Sequence, residues 1–202
     1  MIAGITVVIS SLVTLTGHEG VLAIIAGFVP ATVLNAVNAP DGLFLLPVWF
    51  TPLTATLLHG GFLHLALNMV MLVYCGRMLE RAMGSVGLLL LYLVGAYAAA
   101  AGQWALDPGS LTPTIGASGA ASALIAAYAM LFAERPVPAI GPFPSRVVRV
   151  AWLAAAWVAI QALVGLATVD AGQSIAIGEH LGGFAAGIIL ARPLLLWRYR
   201  HA

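Results

Sequence analysis

The chain has 202 residues, 62% of them hydrophobic and 7% charged, with a formal net charge of +1. That composition excludes an ordinary soluble domain, and so small a charge implies no nucleic-acid partner. The single cysteine, Cys75, excludes both an internal disulfide framework and a cysteine-based zinc site.

A spanning helix needs roughly 20 mostly apolar residues, so the chain has room for about six. Met1 to about Thr16 is the first apolar segment; without a basic start or a small-residue cleavage site it reads as a retained helix. Residues 18–56 form a long connection rich in Pro, Gly and Asn, carrying Phe28, Phe44, Trp49 and Phe50. It is too apolar for a solvated loop and too broken for a span. Short helices at the membrane interface, with their aromatics at headgroup level, are the expectation.

Gly61–Leu79 is the second predicted span and Val86–Gln103 the third, followed by a short loop from Trp104 to Pro113. Ser118–Phe132 is the fourth, stopped by Glu134-Arg135-Pro136. A Pro-rich loop over 137–149 leads to the fifth, Val150–Ala167, and a polar turn over Thr168–Ser174. The sixth is Ile175–Leu196, closed by Trp197-Arg198-Tyr199-Arg200. The predicted architecture is an all-α bundle of six transmembrane helices in one domain over residues 1–202, with a partly membrane-inserted loop between helices one and two.

The charges fit this count. All eight basic residues are Arg. Six spans put every one of them (Arg77, Arg81, Arg135, Arg146, Arg149, Arg192, Arg198, Arg200) on the side of the two termini, and put Glu19, Asp41, Asp107 and Asp170 on the other. By the positive-inside rule both termini are then cytoplasmic. A bacterial inner or plasma membrane is the expected location.

Polar and ionisable groups inside a membrane are costly and mark function by default. Here they are few: His64 and Asn68 on span two with His59 just before it, Ser118 and Ser122 on span four, and His180 with Glu179 on span six. Spans two, four and six run in one direction, and each of these residues lies near its span's start, so they share the outer leaflet. His64 and Asn68, four residues apart, share a helix face. His180, Gly183 and Gly187 form another stripe, whose glycines permit close helix approach. Ser118 follows Gly116-Ala117 at the start of a helix, where backbone N–H groups lack intrahelical partners and the dipole is positive. Such an end can stabilise an oxyanion beside a hydroxyl nucleophile. An N-cap serine in a small-residue packing motif is the plainer reading of Ser118 alone. Ser122 reads as packing and Cys75 as filler. Glu179 cannot share the face of His180, and is expected at the interface or facing a loop.

With these groups in place, the chain resembles the rhomboid family of intramembrane serine proteases. The resemblance rests on His59, His64 and Asn68 on span two, on Gly116-Ala117-Ser118-Gly119, and on His180-Leu181-Gly182-Gly183 with Gly187. Phe28-Val29-Pro30 and Glu80-Arg81 match more loosely. The family implies a dyad of Ser118 as nucleophile and His180 as base, with no acidic third member. It implies an oxyanion hole of His64, Asn68 and the Ser118 backbone N–H, no cofactor or metal, and single-span membrane proteins as substrates within the lipid bilayer. His59, Thr54, Thr56, Gln103, Thr112 and Thr114 are candidates to line a wet entrance. A non-catalytic rhomboid-like protein that binds client transmembrane helices is the alternative. Two departures stand out: the first loop reads Trp49-Phe50-Thr51-Pro52 where many members have Trp-Arg, and position 122 is Ser where some have a Tyr packed on the catalytic His. The support of the His180 ring and the oligomeric state are left open by the sequence.

Overall fold

The computed structural model describes residues 1–34, 42–132, 137–168 and 176–200, without the side chains of 146, 158 and 160–168. Asp41, the Glu134-Arg135-Pro136 stop and the polar turn with Asp170 lie outside these residues, as does the Arg146 side chain. The described residues are helical, with isolated bridges and no strand. In chain order the α-helices are α1 (Ile2–Thr16), α2 (Glu19–Ala26), the single turn α3 (Thr51–Thr54), α4 (Phe62–Leu106), α5 (Ser118–Phe132), α6 (Ser145–Thr168) and α7 (Ile177–Arg198).

All six predicted segments are helical. Two of the described helices, α4 and α7, are long and apolar enough to cross a membrane by length and composition. α1 and α5 are shorter apolar helices. α1 ends at Gly17, whose φ of 68° is the left-handed conformation that caps a helix C-terminus, with its N–H returned to the Thr14 and Val13 carbonyls. α4 is two helices joined at Gly84, where φ is 76° and ψ 167°. The chain reverses there: a methyl on Gly76 would touch Leu88 of the second arm and Leu124 of α5, and one on Gly95 would meet Ala123 at 2.7 Å. Both arms therefore flank the same stretch of α5. The Arg198 guanidinium lies over the turn, 3.0 Å from where a Gly84 methyl would be.

The same contacts give the directions. His64 lies by Gly116 and Gly76 by Leu124, while Gly119 faces Gly183 and Ala123 faces Gly187. The first arm of α4, α5 and α7 are thus parallel. The second arm is antiparallel to them, with Gly102 against Gly178 and Ala98 against Gly182. Small residues set these distances: side chains at 178, 182, 183 or 187 would run into a neighbouring backbone. Leu72, Cys75, Leu79, Leu91, Ala120, Leu124 and Leu194 fill the buried centre, so Cys75 is the filler expected.

The exterior differs from that of a water-soluble protein, and polar groups gather inside beside the apolar core. Leu15, Leu63, Trp152 and Ile189 are each more than 60% exposed, whereas His59, Asn68, Ser122, Glu179 and His180 are buried. An apolar exterior of this extent suits lipid.

The expected boundaries shift in three places, the first being that the second predicted span runs on past Leu79 to the turn at Gly84. The third predicted span runs on to Leu106, into the stretch read as loop, and α6 begins at Ser145, directly after Pro144, instead of at Val150. Proline has no N–H to lose at a helix start, so a Pro-rich loop can lead straight into one.

The long connection contains α2, a 3-10 turn over Pro30–Leu34 and α3, with Phe44, Trp49 and Phe50 exposed. It is tied down through backbone and hydroxyl groups. Thr54 Oγ1 donates to the Ala26 carbonyl at 2.6 Å, and Tyr97 Oη donates to the Trp49 carbonyl at 2.8 Å. Phe28 and Thr114 exchange backbone hydrogen bonds of 3.0 and 2.8 Å. These bonds anchor the loop where the Trp-Arg pair is missing.

Candidate active site

Ser118 opens α5, so its N–H has no place in the helical ladder. The approach to it is held in register by four backbone bonds. Two join Thr114 to Phe28, one runs from the Gly116 N–H to the Ala55 carbonyl at 2.9 Å, and one from the Ala121 N–H to the Ala117 carbonyl at 2.8 Å. Gly116 takes φ of 122°, a conformation that disfavours any side chain. A methyl there would also lie 2.9 Å from both Cε1 and Nε2 of His64 and 3.7 Å from Ser118 Oγ. The absent side chain lets the edge of the His64 ring close against the nucleophile loop.

Hydrogen bonding assigns His59 and His64 opposite tautomers. The Gly60 N–H donates to His64 Nδ1 at 3.3 Å. In a neutral ring the proton then sits on Nε2, the edge facing Gly116 and Ser118. His59 is the reverse: its Nε2 accepts the Ala117 N–H at 3.3 Å, so its Nδ1 carries the proton and donates to Ser10 Oγ at 3.0 Å. The rings meet edge to face, 5.0 Å apart. His59 lies before the regular helix, which starts only after Gly61 at φ 103°. His59 and Thr56 are fully or almost fully buried, and neither lines a water entrance. His59 joins α1 to the residue preceding Ser118, as a residue that holds the fold together does.

Asn68 is buried, and its Nδ2 donates to the His64 carbonyl one turn back at 3.0 Å. The amide's second hydrogen is not used in that bond. Ser122 is fully buried and donates to the Ser118 carbonyl at 2.7 Å, which fits a packing role.

His180 enters from α7. Gly119 packs against Glu179 and Gly183, which bracket His180 in sequence, so His180 stands at the level of Ser118. Glu179 faces a loop as expected, but it is buried, not interfacial, and accepts a short hydrogen bond from Thr114 Oγ1. Thr114 is therefore committed to α7 and does not line an entrance. Sequence reading missed Trp157. Its indole, from α6, meets the His180 ring edge to face with centroids 6.2 Å apart and stacks on Phe184 at 6.5 Å and 12°. A Ser at position 122 was the available signal, because any aromatic support for His180 then has to come from elsewhere. Among the described residues no group of three or more His, Cys, Asp or Glu is arranged to hold a metal ion.

The Rhomboid domain profile matches residues 47–197, most of the chain and all the site residues above. The chain belongs to the rhomboid family. It is 28% identical to RHOMBOID-like protein 4 of Arabidopsis thaliana over 149 residues, 71% of this chain and 34% of that protein. It is 35% identical to Rhomboid-like protein 11, chloroplastic, of the same plant over 80 residues, 40% of this chain and 28% of that one. The matched stretches thus span about a third of each relative's length or less. Rhomboid membership makes this a helical membrane protein, in keeping with its apolar helices.

Proposed function

We propose that this rhomboid is an intramembrane serine endopeptidase that cleaves single-span membrane proteins in the outer leaflet, with Ser118 as nucleophile and His180 as base. In this reading α1, both arms of α4, α5, α6 and α7 cross the bilayer, and both termini are cytoplasmic. The one-sided arginines support that topology.

The observation that carries the catalytic reading is the convergence at the start of α5. Ser118 stands at a helix N-terminus, and the proton-bearing edge of His64 closes on Gly116, two residues before it. A donor and a helix-end amide beside a hydroxyl are what an oxyanion-forming reaction requires. Ser118 Oγ attacks the scissile carbonyl carbon while His180 takes the hydroxyl proton. The carbonyl oxygen becomes an oxyanion held by His64 Nε2–H, the free hydrogen of the Asn68 amide and the Ser118 N–H. Collapse breaks the C–N bond, and His180 hands its proton to the leaving amine. Water then hydrolyses the acyl-enzyme, again with His180 as base.

Labelling the detergent-purified protein with a fluorophosphonate and locating the adduct tests this. The adduct is expected on Ser118 alone, and to be lost in Ser118→Ala and retained in Ser122→Ala. Wild-type labelling of Ser118→Ala would refute the assignment. No labelling of a folded wild-type protein would favour the client-binding alternative.

A further inference from the structure

Resting on the dyad reading, we propose that Trp157 is a positioning residue that holds the imidazole of His180 from α6. Three observations carry this. The indole meets the His180 ring edge to face at 71°, a favourable aromatic geometry. It is itself oriented by near-parallel stacking on Phe184, one turn along α7 on the same face as His180 and 5% exposed. The opposite side offers no such support: Ser122 is engaged with the Ser118 carbonyl, and its Cβ is 3.3 Å from where a Gly183 methyl would lie. α5 and α7 are too close there to admit an aromatic ring. Tight glycine packing of these two helices thus excludes a ring from α5, and the third helix supplies one.

The contact is one of ring against ring. The Trp157 indole N–H is buried and has no hydrogen-bond partner among the described residues, so a phenyl ring can do the same work. Removing the ring takes away its packing against the imidazole and loosens the alignment of that imidazole with Ser118. Loss of alignment at the reacting atoms costs up to about 10²-fold in rate.

The experiment measures kcat, KM and thermal melts on a transmembrane substrate for Trp157→Ala, Trp157→Phe and Trp152→Ala, the last a 66% exposed tryptophan on the same helix. Trp157→Ala is expected to lower kcat by about 10- to 100-fold with KM within about twofold. Trp157→Phe should stay within about threefold of wild type, and Trp152→Ala should match it. Imidazole NMR signals of histidine-labelled protein give a readout independent of turnover. The signal lost in His180→Ala should shift strongly in Trp157→Ala through the missing ring current, and stay put in Trp152→Ala. An unmoved His180 signal would overturn the contact. Trp157→Ala with the kcat of Trp152→Ala, or with a loss confined to KM or explained by its melting temperature, would overturn the role. An inactive wild-type protein would sink the dyad reading and the catalytic role with it, while the NMR arm still reports the contact.

Discussion

Gly183→Ala is the sharpest probe of how packing serves chemistry in this rhomboid. The added methyl would lie 2.9 Å from the Gly119 carbonyl carbon and overlap the oxygen itself. Apolar atoms settle at about 3.5–4.0 Å, so α7 must retreat from α5 by at least about 0.6 Å, and by on the order of 1 Å once the oxygen is cleared. Neither backbone can yield as a flexible side chain would. His180 is one turn away on α7 and moves with it, away from Ser118. A misplacement near 1 Å costs about 10² in rate, and overpacking of this kind costs about 1–3 kcal/mol of stability. We expect Gly183→Ala to lose about 10²-fold in kcat and in the fluorophosphonate labelling rate, with a lowered but cooperative melt. Gly187→Ala meets Ala126 Cβ at 2.7 Å and the Ala123 backbone a full turn deeper, and should cost similar stability with a smaller rate loss. Gly20→Ala, with nothing within 4 Å, is the control. Single-turnover cleavage and labelling rates at a temperature well below every melt make the comparison. Wild-type turnover by Gly183→Ala would refute the claim that this contact sets the dyad's geometry.

The span-two residues should separate by role. His64→Ala and Asn68→Ala should each lower kcat by about 10²–10³ with KM little changed, as loss of an oxyanion donor does; steady-state kinetics on one substrate decides. His59→Ala strands Ser10 Oγ and the Ala117 N–H in a dry interior, at about 1–3 kcal/mol for each unsatisfied group, and should show first as a lowered melt. A histidine base accepts a proton only when neutral, so kcat should fall as pH is lowered through the titration of His180; a flat profile with chemistry limiting would contradict general-base catalysis there. Engineered cysteines in the 137–145 loop of a Cys75→Ala protein should react with impermeant reagents only from the cytoplasmic side; outside reactivity would overturn the topology.

Composition, spacing and charge alone determined much of this protein. An apolar chain in lipid must satisfy its backbone internally, long continuous apolar runs do so as helices, and the six segments read along the sequence are helices in the structure. The period of 3.6 put His64 with Asn68 and His180 with Gly183 and Gly187, because those groupings depend only on a helix being regular. What required the tertiary structure is whatever passes between segments distant in sequence. Nothing local says that His59 bonds Ser10 and Ala117, that Glu179 takes its partner from Thr114, or that the ring against His180 comes from Trp157. His59 and His64 are both histidines at the start of span two, and residue type does not tell them apart. Only the backbone groups that meet their ring nitrogens, Gly60 for one and Ala117 for the other, decide which edge bears the proton. Tautomers and side-chain supports are set by three-dimensional neighbours, whereas helix faces are set by the chain's own period, and the sequence is a record of the second only.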